Sequence, residues 1–224
     1  MNLKTVTDKL DEGRQFRDID VTSFERRSDE EGMTVTGYAT VFNTEYDLYR
    51  FSEPGFTYVV REKVDPSAFA ETDMRDVIMQ YNHEGRVFAR TSNGTLTVAP
   101  DDVGLRIRAD LGGTELGRQV YEEINGGYTT KMSFGFRVAK DERNSTEVRD
   151  EETGVTTVTV VRTILAFEKL YDVSAVSLPA NDATSISSRS FAEGVISEVK
   201  KEFLEREKRE RQRKRIKILT EVLK

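Results

Sequence analysis

The chain has 224 residues, 37% apolar and 33% charged, and a net charge of −6. The absence of cysteine and the presence of one histidine exclude disulfides and a thiolate nucleophile and leave too few ligands for a zinc centre, so no metal or cofactor is expected. No apolar run reaches the ~18 residues of a spanning helix, and no signal-peptide core opens the chain, so the expectation is a cytoplasmic protein.

Residues 1–32 are polar, with "RRSDEEG" as a solvated run, and are expected to be weakly ordered. "MTVTGYATVF" (33–42) alternates and is rich in β-branched and aromatic residues, which predicts a strand. "EYDLYRFSEPGF" is expected to be a loop, punctuated by Pro54-Gly55, and "FTYVVREKV" a strand. In "DPSAFAETD", Asp65 and Pro66 suit the N-cap and first position of a short helix. "RDVIMQYNH" reads as a strand ending at His83, and residues 94–99 and 104–111 as two strands joined by a Pro-Asp-Asp turn. In "GTELGRQVYEEINGG", Leu116, Val120 and Ile124 repeat at helical spacing before a Gly-Gly stop.

"TTKMSFGFRVAK" predicts a strand with Met132, Phe134, Phe136 and Val138 on one face and Ser133 and Gly135 on the other. "DERNSTEVRDEETG" is expected to be a charged hairpin loop, and the run that follows, up to Pro179, to hold two or three strands. Seven or more short strands with two short helices between 33 and 190 make the fold mainly β with a few helices (α+β), and favour a closed or nearly closed β-barrel. Residues 191–224 read as a charged helical tail. From Val195 onward it holds 11 Lys/Arg against 6 Asp/Glu, a charge of +5, which leaves −11 for residues 1–194. Such a basic tail on an acidic body suits nucleic acid, an acidic protein partner or self-association.

The chemistry turns on His83, which lies at a strand end before a polar segment. A neutral imidazole is the usual general base near neutral pH. Without cysteine, its nucleophile would be Ser or Thr. Ser28, Ser92, Ser145, Ser187 and Ser188 lie in polar clusters, whereas Ser133 interrupts "MSFGF" with the small Gly135 as its same-face neighbour. A third group must orient the imidazole. Asp172, set among apolar residues in "KLYDVSAVSLPAND", needs a partner because burying a lone carboxylate is costly; Glu168 is the alternative acid. The competing readings are an ordinary hydrogen-bonded imidazole, a serine on a solvated strand face with Gly135 marking a bulge, and an aspartate at a strand start paired with a Lys or Arg such as Lys169.

The ordered set "NH", "RTSNGTLTVAPDDVGLRIRADL", "MSFGF" and "LYDVSAVSLPAND" followed by "SSR" resembles the tailed-phage prohead protease family, the capsid maturation serine proteases, similar in fold to the herpesvirus assemblins. The resemblance covers residues 33–190. It implies an assemblin-like closed β-barrel of about seven strands flanked by helices, forming the protease domain. His83 matches the family's catalytic histidine and Ser133 its nucleophile. Asp172 falls at the third position, usually an acid and often Glu, where the assemblins have His. Ala89 stands where the family commonly has Gly before Arg-Thr.

The implied activity is that of a serine endopeptidase that cleaves the scaffolding segment of the major capsid protein, and itself, inside the assembling prohead in the bacterial host cytoplasm. The implied partners are the major capsid protein and its scaffold. The tail could dock on that scaffold or be removed during activation, and its apolar stripes allow helix pairing, a homo-oligomer included. Its interleaved Glu residues weaken phosphate binding, so nucleic acid is not the expected partner. Two candidates compete. One is a non-catalytic capsid or scaffold assembly protein with an acidic β-barrel and a charged helical tail. The other is an esterase, for which no G-x-S-x-G elbow is present. An Arg such as Arg90 could serve as an oxyanion donor.

Overall fold

The computed structural model describes residues 13–19, 25–26, 32–176 and 186–222. The chain divides into two units, residues 1–189 and residues 190–224. Within the first unit the described residues form eleven strands and one α-helix. The strands are β1 (Gln15–Ile19), β2 (Glu25–Arg26), β3 (Thr34–Val41), β4 (Tyr46–Glu53), β5 (Phe56–Val64), β6 (Ile78–Tyr81), β7 (Glu84–Arg90), β8 (Leu96–Pro100), β9 (Gly104–Asp110), β10 (Lys131–Arg149) and β11 (Thr156–Val176). Helix α1 is Glu115–Asn125, and the second unit holds one long helix, α2, whose full range is Ile186–Val222. No helix among the described residues is long and apolar enough to cross a membrane.

Among the described residues the strands are not found to close on themselves. They form a seven-stranded sheet in the order β1-β10-β11-β5-β4, with β6 also on β11 and β7 on β6, and a four-stranded sheet in the order β2-β3-β9-β8. The mainly β, α+β expectation holds, but no closed barrel is found among the described residues. The reason lies in the length of β10 and β11. Rather than several short strands, they are two long antiparallel strands, and β11 takes β5 as a parallel neighbour along one half (Thr156–Ile164) and β6 along the other (Asp172–Ala175).

One apolar core joins both sheets. Val35, Ala39, Leu105, Ile107 and Ala109 of the smaller sheet share it with Phe134, Phe136, Ile164, Phe167, Leu170 and Val173 of the larger. The rings of Phe69 and Phe167 stack at 4.5 Å, and Phe136 meets Phe167 edge-on at 4.9 Å. Pairs of this kind add about 0.5–1.5 kcal/mol beyond the area they bury. Helix α1 contributes Val120 and Ile124 to this core, while Leu116 stays 38% exposed. Thr114 caps its start by accepting from the Gly117 amide at 3.0 Å.

Several local expectations change. Residues 46–53 are strand β4, not loop, and Pro54-Gly55 is the two-residue turn that joins it to β5. Its mostly polar side chains reflect an exposed sheet edge, with Leu48 buried. Residues 65–73 form turns instead of a helix. Asp65 Oδ1 accepts from the Ser67 amide at 2.8 Å, and the Ala68 carbonyl is taken by the Phe167 amide at 3.0 Å, so it is not left for a helical bond. Residues 84–90 are strand β7, and the charged run to Arg149 continues β10, because the β-branched run of β11 supplies a partner at every step. A short turn follows, in which Asp150 Oδ1 accepts from Glu152 and Thr153 amides at 2.9 and 3.0 Å. Strand β1 falls within the segment expected to be weakly ordered. The rest of that segment, apart from residues 13–14, 25–26 and 32, lies outside the described residues, as does the end of the β-rich run at 177–185.

Candidate active site

His83 sits on the tight connection between β6 and β7, where Tyr81 pairs with Glu84. Both central residues, Asn82 and His83, take positive φ, +50° and +59°. A two-residue hairpin loop whose twist matches its strands requires this, and Asn is among the residues that accept it at least cost. The turn is pinned by the Asn82 amide, which donates to the Ala175 carbonyl at 2.9 Å. The histidine is therefore aimed by a strained backbone tied to β11.

Ser133 and Asp172 come from neighbouring strands on one sheet face. Ser133 pairs with Ser174, and Asp172 with Gly135, across the β10–β11 ladder, while Asp172 also pairs with Ile78 of β6. Strand alternation places Ser133, Gly135, Asp172 and Ser174 on the face opposite Phe134 and Phe136. That face is not solvated: Ser133, Asp172 and Ser174 are fully buried and His83 is 4% exposed.

The three residues converge. His83 Nε2 lies 2.5 Å from Ser133 Oγ, and His83 Nδ1 lies 2.5 Å from Asp172 Oδ1. Ser174 Oγ donates to Asp172 Oδ1 at 2.8 Å, and Arg14 ion-pairs with Asp172 Oδ2. The Arg14 guanidinium is itself stacked over the Tyr171 ring, 4.4 Å from its centroid. Burial alone would push the Asp172 carboxyl up. The adjoining His83, the Arg14 charge and the Ser174 hydroxyl outweigh it and hold the group below the ordinary carboxylate range. Asp172 is thus an ionised acceptor able to fix the Nδ1–H tautomer.

Gly135 makes this arrangement possible. A Cβ there would come within 2.3 Å of Asp172 Oδ2 and 3.1 Å of the Phe16 ring. The space beside Ser133 is filled by the carboxylate that orients the histidine.

Of the alternatives, a cation does pair with Asp172, but it is Arg14, and the alternative residues singled out from the sequence are placed elsewhere. Glu168 is solvent-exposed and pairs with Arg137 at 3.3 Å, and Lys169 lies 3.7 Å from Asp73 and not on Asp172. Arg90 spends its guanidinium on Asp76 at 2.7 and 2.5 Å. Among the described residues, no group of three or more His, Asp or Glu side chains could hold a metal ion. Sequence reasoning missed Ser174 and the N-terminal residues Arg14, Phe16 and Arg17. The period-2 position of Ser174 relative to Asp172 was a usable signal. Arg14 and Arg17 carry none, since their partners Asp172 and Glu62 lie 158 and 45 positions away on other strands.

A family model described as caudovirus prohead serine protease matches residues 20–201. No curated protein and no solved structure matches the chain.

Proposed function

The chain belongs to the caudovirus prohead serine protease family, and from that premise we propose that it is the endopeptidase of capsid maturation, acting through Ser133, His83 and Asp172. The observation that carries this reading is the continuous path from Ser133 Oγ through both imidazole nitrogens to the Asp172 carboxylate. His83 Nε2 takes the hydroxyl proton as Ser133 Oγ attacks a peptide carbonyl. The imidazolium that forms is stabilised by Asp172 and passes its proton to the leaving amine. Water then enters, His83 activates it, and the acyl-enzyme is cleared.

The substrate in this reading is the scaffolding segment of the major capsid protein, together with the protease itself. The reaction takes place inside the assembling prohead in the bacterial host cytoplasm. Enclosure in a shell would raise the effective concentration of substrate around the enzyme.

Ser133→Ala tests the assignment. The variant is expected to keep the wild-type unfolding transition while cleavage of co-expressed capsid protein falls by at least about 10³-fold. Undiminished cleavage by the folded variant would remove Ser133 from the mechanism.

A further inference from the structure

A nucleophile with no solvent exposure cannot meet a substrate, so what lies against Ser133 matters. Strand β1 lies along β10 at that point, antiparallel, with Phe16 opposite Gly135, Arg17 opposite Phe134 and Asp18 opposite Ser133. It is an end strand of the seven-stranded sheet. All three residues of the triad are touched by this segment. Ser133 Oγ donates to the Arg17 carbonyl at 3.0 Å, the Phe16 ring lies 4.6 Å from the imidazole, and Arg14 is on Asp172. A hydroxyl has one proton to give. While it is given to Arg17 O, it is withheld from His83 Nε2.

The same strand is anchored on its other face. The Arg17 side chain is buried, with Nε 2.6 Å from Glu62 Oε1 and Nη2 3.0 Å from Glu62 Oε2. Gln15 Oε1 bridges Arg17 Nη2 and Arg162 Nη1, each at 3.0 Å. This is a five-residue strand held by a buried ionic cluster, and such clusters add little net stability compared with apolar packing of the same volume. Adding an extended strand to an exposed sheet edge is also a recurring way for a sheet to take a peptide.

We propose that β1 is a self-held occupant of the peptide-binding site: the outer edge of β10 at Ser133 binds an extended substrate strand antiparallel, and the chain is latent while residues 15–19 fill that edge. This rests on Ser133 being the nucleophile. Departure of β1 opens the edge, frees the Ser133 proton for His83 and withdraws Arg14 from Asp172.

The test compares full-length wild type with Arg17→Ala, in which the strand loses its buried anchor. The probes are a fluorescent peptide of residues 12–20, "EGRQFRDID", and a fluorophosphonate that modifies active serines. Hydrogen exchange at residues 15–19 reports release of the strand. The variant is expected to exchange faster there, to bind the peptide at least about tenfold tighter, and to be modified at Ser133 at least about tenfold faster. Faster exchange without tighter peptide binding overturns the proposal. So does a wild type that is modified as fast as the variant while its residues 15–19 stay protected. A gain in peptide binding with no modification of Ser133 supports the occupied edge and overturns the nucleophile assignment instead. If Arg17→Ala does not unfold cooperatively, Gln15→Ala is measured in the same way.

Discussion

Gly135 shows how little separates a working arrangement from a broken one. Its missing side chain leaves the space that Asp172 Oδ2 occupies, and a methyl group would come within 2.3 Å of that oxygen. The carboxylate cannot swing away cheaply, because His83, Ser174 and Arg14 all hold it. Gly135→Ala is therefore expected to lower cleavage by at least about 10²-fold through misplacement of the acid, with circular dichroism still showing a folded sheet. Asn82 acts one step further out. At φ +50° a β-branched side chain is strained by about 1–3 kcal/mol. Asn82→Val should lower stability by that order and turn His83 off its line, whereas Asn82→Gly should keep both stability and cleavage near wild type. Urea unfolding and a peptide cleavage assay separate the two variants. The sequence pattern singled out Gly135 as the small same-face neighbour of Ser133, but not what fills the space beside it.

The strands carry the next set of consequences. β10 and β11 bring Ser133 and Asp172 into adjacent register, and β6 runs parallel to β11 so that its following turn delivers His83. Beneath them, Glu62 of β5 gathers Arg17, Arg162 and the Tyr46 hydroxyl, the last at 2.7 Å. Burial would raise the Glu62 carboxyl, but the two guanidinium groups and the Tyr46 hydrogen bond hold it below the ordinary range. A carboxyl depressed in the fold contributes stability that is complete above its unfolded pKa, about 4.3, and is lost as pH falls through its folded value. Glu62→Gln removes the buried carboxylate that Arg17 and Arg162 share, although Arg162 keeps its pair with Asp141, and is expected to cost about 3 kcal/mol at pH 7. The gap to wild type should narrow steadily below about pH 4; guanidinium unfolding across that range measures it. A gap independent of pH would mean that the carboxylate charge is not what holds β1, β5 and β11 together. None of this cluster was legible from the chain. Glu62, Arg17 and Arg162 lie in different strands, and each alone looks like a polar residue on an exposed face.

At the scale of the whole molecule, charge is divided unevenly, with −11 over residues 1–194 and +5 beyond. The second unit is a helix whose middle is almost wholly charged, so its contribution is expected in assembly more than in chemistry. Deleting residues 195–224 should lower incorporation into shells more than it lowers cleavage of a peptide substrate, as read by shell composition and by turnover. Equal incorporation with and without the tail would dispose of that role. The mainly β class, most strand positions, and His83, Ser133 and Asp172 as candidates followed from residue type and period alone, because alternation and the scarcity of imidazole are local properties of the chain. The open two-sheet architecture, the extension of β10 through its charged half and the convergence of the three side chains did not. Strand partners are chosen by contacts far apart in sequence, and no local pattern records which edge remains free. The clearest case is β1, a polar stretch without a signal of its own that acquires its place only because β10 leaves an edge beside Ser133 and Glu62 waits beneath it for Arg17.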